Sequence, residues 1–241
     1  MTPTGPRLRA SVRIEVWSDV VCPWCYIGKR RLEAALERFP HRESVEVVWR
    51  SYQLDPSIPE GETHPTLPAL AAKYGRPVEE VRAMVRHVEE TAAGEGLEYS
   101  LADGVSGNTL LAHELLHLAA ERGLQAQAKE RLLHAYFEEG RSVFDVDALA
   151  ALAVEVGLDE AEVRAAMADH RYRPAVLDDA RTAQALGATG VPFFVVDRKY
   201  GAAGAQPAEL LLQLVERAWA ERAPLTTVPA AEGCDGDTCA V

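Results

Sequence analysis

Two cysteines separated by two residues, Cys22-Pro23-Trp24-Cys25, stand where one hydrophobic rhythm gives way to another, and that junction restricts the fold more than any other feature of the chain. Before it, residues 13–18 alternate, with Ile14 and Val16 on one side and Glu15 and Trp17 on the other, as a strand does. After it, Ile27, Leu32, Leu36 and Phe39 recur along one stripe of residues 26–39, while Lys29, Arg30, Arg31, Glu33 and Glu37 fall largely outside it. Pro40 stops that helix, and SVEVVWR within residues 43–52 returns to strand spacing. A strand, helix, strand succession predicts two parallel strands joined by a right-handed crossover.

The next hundred residues read differently. From 63 to 170 the pattern is helical throughout, with Pro77, Asn108, Asp145 and the Asp159/Glu162 pair as start signals and Gly123, Gly140 and Gly157 as stops. Residues 174–186 form one more amphipathic helix ending at Gly187, and GVPFFVV, 190–196, is again a strand. Turn-rich residues 197–203 lead through a hairpin to a last short strand. Pro207 starts a final helix with Leu210, Leu211, Leu214, Val215 and Ala218 on its apolar side. The chain thus divides into an α/β half at 12–62, an all-helical insertion at 63–173, the second α/β half at 174–222 and a tail at 223–241.

Composition narrows the function. With 25 Lys and Arg against 37 Asp and Glu the net charge is −12, which argues against nucleic acid, because phosphate recognition needs a basic footprint. No apolar run is long enough to span a membrane, and the first dozen residues lack the apolar stretch of a secretory signal, so the expected compartment is the cytoplasm. The four cysteines form two close pairs, Cys22/Cys25 and Cys234/Cys239, too sparse for a disulfide scaffold; such pairs are redox or metal sites.

The first pair suits redox chemistry. A cysteine capping a helix, with Pro23 in the first turn, faces unpaired N–H groups and the positive end of the helix dipole, both of which favour a thiolate nucleophile. Cys25, one turn inside, is better shielded and suits attack on a mixed disulfide formed at Cys22. Trp24 is a packing or substrate-contact residue, and Asp19 either caps the loop or opposes the thiolate. Val191-Pro192 opens a strand where proline donates no ladder bond. A cis bond there would leave the Val191 backbone open to a strand-like peptide; a trans proline is the plainer alternative.

The segments DVVCPWCYIGKRRLE, GATGVPFFVVD and GAQP together resemble the DsbA-like thioredoxin family, in particular its cytosolic FrnE-type branch, over nearly the whole chain. The resemblance implies a thioredoxin-like fold, β-α-β, helical insertion, α-β-β-α, and a disulfide oxidoreductase or isomerase of protein or peptide substrates. It implies Cys22 as nucleophile, Cys25 as resolving thiol, Val191 and Pro192 as the cis-proline element with Pro23 and Trp24 beside it, and no cofactor or metal. Glutathione stays open as a redox partner, and Cys234/Cys239 is either an auxiliary pair exchanging with Cys22/Cys25, as the resemblance suggests, or two independent thiols. Periplasmic members of the family carry His where Trp24 stands. A sister branch of glutathione-dependent isomerases and transferases carries Ser in place of Cys22.

Two rival readings remain. His113-Glu114-Leu115-Leu116-His117 has the spacing of a zinc hydrolase, with Glu138 or Glu139 as third ligand; otherwise Leu111, Leu115 and Leu118 are a buried stripe flanked by the histidines. The four cysteines could also hold one zinc in a non-catalytic interaction module.

Overall fold

The computed structural model describes residues 11–222, so Cys234 and Cys239, and with them the auxiliary pair and the four-thiolate alternative, lie outside the described residues. Strand β1 (Val12–Ser18) runs into helix α1 (Pro23–Glu37), and β2 (Val45–Ser51) returns parallel to β1, with Val12 opposite Val45 and Ser18 opposite Ser51. Far along the chain, α8 (Arg173–Ala185), β5 (Phe193–Val196), β6 (Tyr200–Ala203) and α9 (Ala208–Ala220) complete the same layers. The sheet order is β2-β1-β5-β6, with β5 and β6 each antiparallel to its neighbour. Asp197 and Arg198, left-handed at φ 50° and 54°, bend the three-residue connection between the paired Val196 and Tyr200, and the Lys199 N–H donates to the Val196 carbonyl at 3.0 Å.

One face of the sheet packs Ile14, Val16 and Phe194 against Leu32, Leu36 and Phe39 and against Leu211 and Val215 of α9. The other face sets Trp17, Phe193 and Val195 against Ala183 of α8, and the Trp17 indole N–H donates to the Asp179 carbonyl at 2.8 Å. Glu15, on the same side of β1 as Trp17, is only 2% exposed although it carries a charge. The reason is topological: β1 is central and covered on both faces, so the carboxylate is neutralised in place by Arg50 at 2.7 Å and by Arg198.

Between β2 and α8 lies the insertion: β3 (Thr63–Pro65), α2 (Thr66–Tyr74), α3 (Val78–Ala93), β4 (Val105–Gly107), α4 (Leu110–Glu121), α5 (Gln125–Phe137), α6 (Val146–Glu155) and α7 (Glu160–Ala168). It is helical apart from β3 and β4, an antiparallel ribbon that the helical reading of the sequence misses. Three-residue strands are too short to show alternation. Gly107 in that ribbon lies so close to Phe144 that a Cβ would stand 2.8 Å from its ring. Asp145 and Asp159 cap α6 and α7 as expected, accepting from the N–H groups of Ala148 and Glu162. At α4 the cap shifts by one residue to Thr109, while Asn108 still accepts from the Leu110 N–H at 2.8 Å.

Two packed clusters tie the insertion to the sheet domain. Val20, in the loop after β1, is buried among Leu115, Leu118, Leu132, Leu149 and Met167. Tyr26 and Ile27 of α1 are buried among Val81, Val85, Leu133 and Phe137. Burial of each such side chain contributes roughly 1.5–3 kcal/mol, so the start of α1 is held from both sides.

Candidate active site at the start of α1

Cys22 is the N-cap of α1, in extended conformation at φ −88° and ψ 112°, and Pro23 follows at the first helical position. Proline loses nothing there, since that N–H has no intrahelical acceptor. The Cys25 N–H donates to the Cys22 carbonyl at 2.9 Å, closing the turn that brings both sulfurs together. Both cysteines are free thiols, 3% and 1% exposed. Burial, reinforced by the Cys22 sulfur beside it, pushes the Cys25 thiol well above its ordinary range. An uncharged, enclosed Cys25 beside a helix-capping Cys22 is the asymmetry that sequential attack and resolution require.

The Val191-Pro192 peptide bond is cis, and the Cys22 thiol donates to the Val191 carbonyl at 3.6 Å. A residue that sequence spacing passes over makes this approach possible. Gly28 lies against Pro192, where an added Cβ would meet the ring at 3.0 Å and Phe194 at 3.2 Å.

The surroundings come largely from the insertion. Asp19, 1% exposed, accepts from the N–H groups of Val20 and Leu54, both at 2.7 Å, and from His113 at 3.1 Å. Burial alone would raise its carboxyl, but these donors override it and hold the group below its ordinary value. Of the two roles open to Asp19 in the sequence, this is the loop cap. Tyr99, between α3 and β4, donates to the Pro23 carbonyl at 2.8 Å and stacks on Phe137 at 4.6 Å. Tyr26 donates to Glu130 at 2.7 Å, and Arg30 and Lys29 outweigh burial to pull the Glu130 carboxyl to about 2.

Beside Cys22 opens a cleft of about 410 Å³, lined by Trp24, Val191 and Leu54 and, from the insertion, by Leu70, Tyr74 and Met84. Trp24 is 36% exposed, and its place in the wall assigns it to the cleft rather than to packing. The cleft is mainly apolar, suited to a side chain or small ligand flanking a disulfide.

The zinc-hydrolase reading fails on direction. His113 is fully buried and bonded to Asp19; His117 meets Ser51 at 3.1 Å and Asp179 at 3.2 Å; Glu114 meets His170 at 3.0 Å. The three side chains thus serve separate partners, while Glu139 is engaged by Arg131 at 2.6 Å. Among the described residues no three His, Cys, Asp or Glu side chains gather where a metal could sit. His113 also departs from the flanking position expected of it, because the insertion packs α4 directly over the loop that carries Asp19.

The arrangement finds counterparts. The DSBA-like thioredoxin domain family matches residues 13–216. The chain belongs to that family. A probable DsbA oxidoreductase from Streptomyces coelicolor is 49% identical, with a TM-score of 0.87 over 95% of this chain and 99% of that one. YwbO of Bacillus subtilis, an uncharacterized protein, is 31% identical over 189 residues, 77% of this chain and 87% of its own. The cytosolic disulfide reductase DsbM from Pseudomonas aeruginosa, solved with glutathione, shares the fold at 21% identity, with a TM-score of 0.57 over 86% of this chain and 96% of that one. The DsbA-like assignment makes the four-stranded sheet with α1, α8 and α9 a thioredoxin fold, and the segment from β3 to α7 its helical insertion.

Proposed function

We propose that this DsbA-like protein is a cytoplasmic thiol–disulfide oxidoreductase of the FrnE type, acting on protein or peptide disulfides. Cys22 attacks a substrate sulfur, one substrate thiol leaves, and Cys25 displaces the second from the mixed disulfide. Val191 and Pro192 present backbone to the bound peptide, with Pro23 and Trp24 lining its path. The observation that carries this reading is the placing of Cys22 at the N-cap of α1, its sulfur against the Val191 carbonyl and in the wall of an apolar cleft. No organic cofactor or metal enters the cycle. Glutathione is the proposed redox partner; DsbM was solved with it, and a cleft of about 410 Å³ has room for a tripeptide. The cytoplasm is supported by sparse cysteines; among the described residues no helix is long and apolar enough to cross a membrane.

The test is thiol-driven reduction of insulin. Cys22→Ser should abolish turnover, and Cys25→Ser should accumulate a substrate adduct that peptide mass places on Cys22. Turnover retained by Cys22→Ser, or an adduct carried elsewhere, would overturn the reading.

A further inference from the structure

The GAQP segment, residues 204–207, leaves the edge strand β6 and turns at Gly204, with φ 78°, into α9. An edge strand has no neighbour on its outer side to hold its end. This end nevertheless bears on the site, because the Gly204 N–H donates to the Pro192 carbonyl at 2.8 Å, extending the β5–β6 ladder to the residue beside Val191. Arg31 supplies the support that the sheet does not. One turn beyond Gly28 on α1, its Nη1 donates to the Ala205 carbonyl at 2.6 Å and its Nε to Glu95, just after α3, at 2.7 Å. A helix position outside the apolar stripe is ordinarily solvated, yet the Arg31 side chain is only 21% exposed. Gln206 closes the bend from within, its Nε2 donating to the Ala203 carbonyl at 2.6 Å. A guanidinium offers several donors in a rigid fork, and charged donors make the stronger bonds. Three segments therefore meet at one side chain: α1, the end of α3, and the backbone that holds Pro192.

We propose that Arg31 is the positioning residue for the backbone that receives a peptide substrate. This rests on the dithiol reading above, with Val191 and Pro192 as its peptide-binding element. Gly28 sets how closely the Pro192 ring approaches α1, and Arg31, through Ala205 and Gly204, sets where the Pro192 carbonyl lies. The Val191 carbonyl stands 3.6 Å from the Cys22 sulfur, so the placing of this backbone decides whether a strand laid against it brings its disulfide to the thiol. Both Arg31 bonds end on groups other than the thiols, so its role belongs to the binding of extended peptides and not to the reactivity of Cys22. A small disulfide without a backbone gains nothing from it.

The experiment compares two disulfides with the same leaving group: a short extended peptide with one central cysteine, and cysteamine, each activated as its 2-pyridyl disulfide. The reduced full chain is mixed with either, acid-quenched at intervals, and the peptide carrying Cys22 is weighed; the tail cysteines report on their own peptide. The wild type should saturate with the peptide and not with the cysteamine conjugate. Arg31→Met should raise the half-saturating peptide concentration roughly tenfold, about the worth of one hydrogen bond, with the limiting rate and the cysteamine rate within about twofold of the wild type. Glu95→Leu, which cuts the tie to the insertion and keeps the Ala205 bond, should bind the peptide as the wild type does. An unchanged half-saturation in Arg31→Met, both disulfides slowed equally, the same rise in Glu95→Leu, or a wild type that treats the two disulfides alike would overturn the proposal while leaving the dithiol reading intact. Absence of any Cys22 adduct from either disulfide would instead sink the dithiol reading. Should Arg31→Met fail to fold, Arg31→Gln, too short for the Ala205 carbonyl yet favourable in a helix, decides by the same comparison.

Discussion

Gly28 sits one turn beyond Cys25 with Pro192 against its α-carbon, so a methyl group there must displace the ring that borders the thiols. Alanine favours a helix over glycine by about 1 kcal/mol, but overpacking a rigid neighbour costs about 1–3 kcal/mol, and here the second effect should win. Gly28→Ala is therefore expected to lower the urea midpoint and slow insulin reduction; a variant more stable than the wild type would show that Pro192 yields freely. Asp19 is the second residue with a disproportionate share. Asp19→Ala leaves two N–H groups and His113 unpaired in the interior, at about 1–3 kcal/mol for each group, so a loss of several kcal/mol is expected in chemical unfolding. The sign with pH follows from its lowered carboxyl: the stabilisation is present above the ordinary value of 3.8 and disappears only as pH falls below it, toward the folded value. The gap between wild type and Asp19→Ala should accordingly close in acid. Cys22, Cys25 and Pro192 were legible as residues because their chemistry is written in short spacings. Gly28 was not, since nothing local distinguishes a glycine tolerated in a helix from one required there.

At the scale of elements, the start of α1 is held by contacts with the insertion as much as by its own sheet. Phe137 of α5 touches Tyr26 at 6.1 Å and Tyr99 at 4.6 Å between ring centroids, within the spacing at which aromatic rings attract. Phe137→Ala should cost about 3–5 kcal/mol and depress turnover, because the vacated space lies directly behind the helix that carries both thiols. Tyr99→Phe is a gentler probe of the same support. It removes only the bond to the Pro23 carbonyl, for an expected loss of about 1 kcal/mol in thermal or urea unfolding. The long elements of this layer were readable from periodicity, and so were the aspartate caps of α6 and α7. The β3–β4 ribbon and the burial of Glu15 were not: the first is too short to carry a period, and the second depends on both faces of β1 being covered.

For the whole molecule, the cost of burying Lys129 of α5, whose ammonium nitrogen has no hydrogen-bond partner, should appear in global stability. An unfolded chain holds the Lys129 proton up to about 10.5, whereas the folded chain releases it from about 8. Its folded value being lowered, the penalty is full below pH 8 and fades as pH rises from 8 toward 10.5. Lys129→Met is expected to be more stable than the wild type by a few kcal/mol at pH 7, with the difference shrinking through that alkaline window in urea titrations. A variant less stable at pH 7 would mean that the ammonium is held by its surroundings. The sequence by itself determined the order of the elements, the dithiol at a strand-to-helix junction and the class of chemistry, because spacing and backbone preference act over a few residues. Which groups of the insertion reach the start of α1 was decided by tertiary structure alone. Lys129, His113 and Tyr99 come from three separate segments, and burial and electrostatic influence depend on distance through space, which the order of residues along the chain does not contain.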